Sequence, residues 1–200
     1  IAVKHSRIVF DGNNYSDEWV EEAERRGLPN IRSTVDATPA WVTEKAVALF
    51  EKHGVLSGTE LHSRYEILLE QYNKIINIEA QTMLYMVKRQ IMPAGLKMIQ
   101  NLAAGIGAVK AVSGALVSVQ ERLLNQVSSV MVAVDESLQA LEGKTNEALA
   151  MGNVFEQGVF YRDEVFTAMN TLRGAVDQLE ELVDKEYWPL PSYAEMLFKL

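Results

Sequence analysis

The chain is 200 residues long, 48% hydrophobic and 23% charged, with a formal net charge of -8 and no cysteine. That composition belongs to folded globular chains and excludes a disordered one, while the lack of cysteine excludes disulfides, thiolate catalysis and Cys-based zinc or iron–sulfur sites. No window reaches the ~18 uncharged apolar residues of a membrane span, because Lys97 and Lys110 interrupt the most apolar stretch, Leu96 to Val119. The acid sits late: from Asp135 to Glu186 twelve acidic residues stand against four basic ones, a balance that repels phosphate backbones and argues against nucleic acid as a partner. Ile1 to Phe10 carries Lys4, His5 and Arg7 and lacks the apolar run of a signal peptide, so the chain reads as cytoplasmic. Its first residue is Ile rather than Met, as expected of a piece of something longer.

In chain order, Ser6 to Phe10 is a short apolar run stopped by Asp11-Gly12-Asn13-Asn14, which predicts a strand or extended end and a turn. Ser16 is placed as the N-cap of a short helix, with Asp17 and Glu18 in its first turn, Arg25 and Arg26 in its last, Gly27 as the stop and Pro29 beyond. Thr38-Pro39 offers a second cap with a proline in the first turn, and Trp41, Ala46, Leu49 and Phe50 predict a helix running to His53-Gly54. Residues 54–58 then form the loop into the next element.

Thr59 to Pro93 keeps a helical period without an internal Gly or Pro, and predicts one long helix of about 50 Å at 1.5 Å per residue. Its apolar stripe is read as Leu61, Tyr65, Leu68, Tyr72, Ile75, Met83 and Met86, with Glu79 in the slot that breaks it. A helix of that length needs other helices to cover its stripe, which predicts a bundle. Pro93 either starts a new helix or kinks a continuing one. Ala103 to Ser118 is built of small residues and predicts a break near Ser113-Gly114. Gly105 and Gly107 match neither the dinucleotide fingerprint nor the P-loop, so they are read as close packing or a loose loop. From Leu116 a further helix carries Val119, Leu123, Val127, Val130, Val134, Leu138 and Leu141 on one stripe, with Gly143 as its stop. The last long helix is clearest from Phe160 to Val183, with Val165, Met169, Leu172, Val176, Leu179 and Val183 inward. The aromatic, proline-stiffened tail from Lys185 onward is too apolar to hang in water and is expected to dock.

The expected fold is therefore all-α: a long-helix antiparallel bundle with a short extended N-terminal linker segment. The expected division is a linker with two short helices over residues 1–58, the bundle over 59–186 and the docking tail over 187–200.

Candidate chemistry is sparse. His5, His53 and His62 are far apart and fit no HExxH or ExxH spacing, so they read as surface or capping residues. Glu79, in an apolar stripe, is either a buried acid with a raised pKa, the way a general acid is made, or one partner of a pair with Arg64, Lys88 or Arg162. Tyr187, Trp188 and Tyr193 form either an aromatic ligand pocket or a seal over a bundle end or subunit interface.

The ordered pieces SRIVFDGNNYSDEWVEEAERRGLPNIRSTVDATP, LHSRYEILLEQYNKIINIEAQTM with QIMPA, RDEV, and DKEYWPLPSYAEMLF together resemble the carboxy-terminal part of a type III glutamine synthetase. The resemblance runs over nearly the whole chain and is carried by helical character alone between Ala103 and Gln157. It implies a parent enzyme that ligates ammonia to glutamate with ATP and divalent Mg or Mn and assembles as a homo-oligomeric ring. It also implies that the metal, nucleotide and glutamate motifs lie on an upstream catalytic core. No catalytic, cofactor or metal residue carries over to this chain, whose implied role is structural: packing on that core and contributing subunit contacts. Two other classes remain open, an independent helical protein–protein interaction module and a small carboxylate enzyme resting on Glu79.

Overall fold

The computed structural model describes residue 5 and residues 9–197, so Ser6 to Ile8 of the expected N-terminal strand lie outside the described residues, and Val9 and Phe10 have no regular structure. Among the described residues every regular element is a helix. They divide into two compact units, Ile1–Tyr65 and Glu66–Leu200.

The first unit is made of short helices with strong local ends. Helix α1, Asp17–Arg25, closes on Gly27 at φ 73°: Leu28 N–H donates to Ala23 O and Gly27 N–H to Glu24 O, the paired bonds of a Schellman stop. Ser16 stands at the N-cap with extended backbone, but its hydroxyl donates back to Asn13 O instead of capping α1. Helix α2, Thr34–Ala37, is capped by Ser33 and runs into a 3-10 turn over Thr38–Val42. Thr38-Pro39 therefore starts only that tight turn. The following α-helix α3, Glu44–Lys52, starts at Thr43, whose Oγ1 accepts from Ala46 N–H. Thr43 is the better cap because its extended backbone frees the hydroxyl to reach that amide. Gly54, at φ 64°, repeats the Schellman stop, with Val55 N–H on Phe50 O and Gly54 N–H on Glu51 O.

Ser57 and Glu60 form a reciprocal capping box at the start of α4, Gly58–Met86: Ser57 N–H donates to Glu60 Oε2 at 2.8 Å and Glu60 N–H to Ser57 Oγ at 3.3 Å. The helix does not stop at Pro93. A π turn over Val87–Ile91, with Met92 N–H donating to Val87 O, leads directly into α5, Met92–Val112. Proline lacks the N–H that the ladder needs and its ring crowds the carbonyl four residues back. The wider π turn placed before Pro93 accommodates both defects without ending the helix. The break comes at residues 113–117, near Ser113-Gly114 as expected.

Helix α6, Ser118–Leu149, runs through Gly143 instead of stopping there, because a glycine facing open space only weakens a helix that packing holds on its other side. Asn153 then caps α7, Val154–Phe160, which passes through a second π turn over Tyr161–Val165 into α8, Phe166–Glu180. The second unit is thus three long helical runs joined by short turns. Ion pairs fix their directions: Lys110 meets Glu121 at 2.5 Å beside the first turn, and Lys88 meets Glu142 at 2.7 Å far from it, so α4–α5 and α6 are antiparallel. Lys144 meets Glu164 at 3.0 Å near the second turn, while Gln126, Ser129 and Val130 share a surface hollow with Gln178, Glu181 and Leu182 at the other end. That makes α6 and α8 antiparallel as well.

The core is the seam between these runs. It contains Ile76, Ala80, Leu84, Val87, Ile91, Ala94 and Met98 of the first run, Val127, Met131, Val134, Leu138 and Leu141 of the second, and Val165, Met169, Leu172 and Leu179 of the third. The steps of three and four hold through the first π turn. Gly95 is buried on the seam side of α5, where an added Cβ would strike Met131 Sδ.

Candidate functional site

The residues singled out for chemistry do not converge. His5, His53 and His62 are all exposed; His53 ends α3, and His62 Nδ1 lies 2.8 Å from Gly58 O one turn earlier. Glu79 is exposed, because the buried seam passes through Asn73, Ile76, Ala80 and Leu84, one residue on from the expected stripe. It is not the buried acid that a general acid requires, and two of its suggested partners are engaged elsewhere, Lys88 with Glu142 and Arg162 with Asp163. Gly105 and Gly107 lie within α5 facing open space, in neither a loop nor a close contact. Among the described residues no three His, Asp or Glu side chains gather as a metal would need, and no helix is long and apolar enough to cross a membrane.

The tail docks. Tyr187, Trp188 and Leu190 are half-buried against the core, and Lys97 Nζ of α5 sits 5.4 Å from the centre of the Tyr187 ring. Helix α9, Tyr193–Leu197, opens with a second capping box, in which Ser192 N–H donates to Glu195 Oε2 at 2.7 Å; those bonds hold the Glu195 carboxyl below its ordinary pKa. Between the tail and α8 lies an open cleft of 780 Å³ walled by Trp188, Pro189, Pro191, Glu180 and Lys185. A narrower, more apolar cleft of 290 Å³ adjoins it, where Leu190 meets Met83, Met86 and Val87 of the first run and Val176 of α8. Of the aromatic trio, Tyr187 and Trp188 thus pack against the core, while the Tyr193 side chain lies outside the described residues.

Where α6 passes into α7 a polar cluster crosses all three runs. Asn73 of α4 sits in the apolar seam, 4% exposed, and its Nδ2 donates to Val154 O at 3.0 Å and Gln157 Oε1 at 2.9 Å. Gln157 Nε2 in turn donates to Ala148 O at 2.9 Å. One amide chain therefore fixes the register of α4, α6 and α7, the role a lone buried Asn plays in helical seams. Tyr161, 1% exposed, begins the second π turn beside it, and burial pushes its phenol pKa upward, keeping it protonated. The periodicity reading missed this cluster because its stripe ran through Tyr72 and Ile75 and left Asn73 out. A polar residue in a true seam position was the available signal.

The family model of the glutamine synthetase C-terminal domain matches residues 1–110. Over 197 residues the chain is 35% identical to a glutamine synthetase of Butyrivibrio fibrisolvens, an alignment covering 98% of this chain and 28% of that protein. It is 33% identical over 201 positions to a type-3 glutamine synthetase of Dictyostelium discoideum, covering 98% and 27% respectively. A glutamine synthetase of Bacteroides fragilis (strain YCH46) is 27% identical over 196 positions, covering 96% and 27%. The chain spans little more than a quarter of the length of these relatives.

Proposed function

This chain belongs to the family of glutamine synthetase C-terminal domains, and from that premise we propose that it serves such an enzyme as a structural and assembly domain, not as its catalytic part. The parent reaction would be the ATP-dependent ligation of ammonia to glutamate with Mg or Mn, carried out in the cytoplasm by a catalytic core upstream. On this reading residues 1–58 lead out of that core, 59–186 form the bundle and 187–200 dock on it as an aromatic tail. The bundle packs on the core and contributes contacts within a homo-oligomeric ring.

The observation that carries this reading is the outer face of α4. Ile67, Ile75, Ile78 and Tyr85 are exposed, Ile78 by 63%, on the side of the helix away from the buried seam of Ile76, Ala80 and Leu84. Four large apolar side chains along about 27 Å of one helix face form a surface suited to being covered by another protein surface.

Light scattering of the purified chain across a concentration series, with a ligase assay on the same sample, tests the proposal. An inactive species is expected; formation of γ-glutamyl product by this chain alone overturns it. In the full-length enzyme, Ile78→Lys is expected to shift the assembly to smaller species. A ring of unchanged size and activity would remove the outer face of α4 from the proposal.

A further inference from the structure

The exposed part of the first run carries its charges in an order that is its own complement. From Glu66 to Arg89 the charged residues are Glu66, Glu70, Lys74, Glu79, Lys88 and Arg89, and all six are exposed. Reversed about a point near residue 77, the series lays Glu66 level with Arg89, Glu70 with Lys88 and Lys74 with Glu79. Every level then holds opposite signs. The same reversal sets Ile75 level with Ile78 and Ile67 level with Tyr85, the four large apolar side chains of the outer face. Two copies laid parallel would instead set each charge against its like.

Local effects do not account for this order. A helix dipole favours acids in the first turn and bases in the last, yet α4 passes through the π turn into α5 and the run ends only at Val112. Lys88 and Arg89 therefore stand in mid-run. Lys74 meets Glu70 at 3.3 Å and Lys88 meets Glu142 at 2.7 Å, but each of these side chains is at least 41% exposed. Such exposed pairs are weak and leave the side chains within reach of a further partner.

We infer that the outer face of α4 pairs with the same face of a second copy of this chain, antiparallel, about a twofold axis near Ile78. Each exposed Ile or Tyr then meets another large apolar side chain, and three opposite-charge levels, each occurring twice by symmetry, fix direction and register. The inference rests on the assembly role proposed above and names the occupant of the face that carries it.

The chain has no cysteine, so single introduced thiols report the pairing. Under copper-phenanthroline oxidation in air, Ile78→Cys is expected to form a disulfide-linked dimer. Ile67→Cys, whose copy lies about 30 Å away along the antiparallel pair, is expected to form none. In light scattering across a concentration series, Arg89→Glu is expected to weaken the dimer about tenfold, and the double variant Glu66→Arg with Arg89→Glu to restore it. Melting temperatures equal to that of the parent chain exclude unfolding as the cause. Cross-linking of Ile67→Cys as readily as Ile78→Cys, or a loss in Arg89→Glu that Glu66→Arg deepens, overturns the antiparallel pair. A chain that stays monomeric, with Ile78→Cys not cross-linked, overturns the inference by itself. The assembly role is then judged separately by Ile78→Lys in the full-length enzyme, where smaller species would give this face to the upstream core instead.

Discussion

The two units hold their helices by different means. In Ile1–Tyr65 most helix ends have their own chemical signature: Gly27 and Gly54 with positive φ, Ser33 and Thr43 as caps, Ser57 with Glu60 as a capping box. In Glu66–Leu200 the helices run through features that locally argue for a stop, Pro93, Gly143 and two π turns, because a long shared seam holds them. Short-range capping terms of about 1 kcal/mol decide the first case, and the sum of many buried contacts decides the second.

The strongest way to break that contrast is to cut the seam. Leu141 is fully buried in the middle of the core, and Leu141→Ala is expected to destabilise the second unit by about 3 kcal/mol, read by denaturant unfolding. A milder loss matching that of a cap would show that the seam contributes less than its burial implies. A sharper comparison uses two glycines in the same unit. At Gly95 an added side chain meets Met131, so Gly95→Val is expected to cost about 2 kcal/mol, whereas Gly143 faces open space and Gly143→Ala is expected to stabilise by about 1 kcal/mol. If both glycines responded alike in thermal unfolding, close approach at Gly95 would be ruled out.

The smallest effect belongs to the first unit. Arg25 and Arg26 hydrogen-bond Glu22 and hold its carboxyl down to about 2 from an ordinary value of 4.5. A depressed carboxylate stabilises the fold above its unfolded value, and the contribution is lost as pH falls from about 4.5 through about 2. Solvent screening keeps this modest. Arg26 also lies 5.8 Å from the Trp19 ring centre, so the Trp19 indole resonance reports the change. Glu22→Gln is expected to flatten its pH dependence in that window, and an unchanged profile would sever the link.

Much of this was legible from residues alone. The all-α class, the long helices, the break near Ser113-Gly114, the inward stripe of α8 and the docking of Tyr187 and Trp188 follow from periodicity and apolar content. The seam of α4 was misread by one residue because Ile67, Ile75 and Ile78 make its outer face as apolar as the inner, while the true seam is marked by Asn73 and the small Ala80. Ser57 and Glu60 carried a readable capping-box spacing that was overlooked beside the glycines. The polar cluster of Asn73, Gln157 and Tyr161 joins positions more than 80 apart in sequence, so only Asn73, a polar residue in the seam, carried a signal within its own helix.

What the sequence determined by itself was local: the stops at Gly27 and Gly54 in the first unit, since a positive φ and its closing bonds depend on neighbours within a few residues. Only the tertiary structure decided which face of α4 is inside, that Pro93 and Gly143 are passed over, and that Asn73 reaches Gln157. Those outcomes depend on side chains arriving from distant helices, and their combined burial outweighs any single local preference.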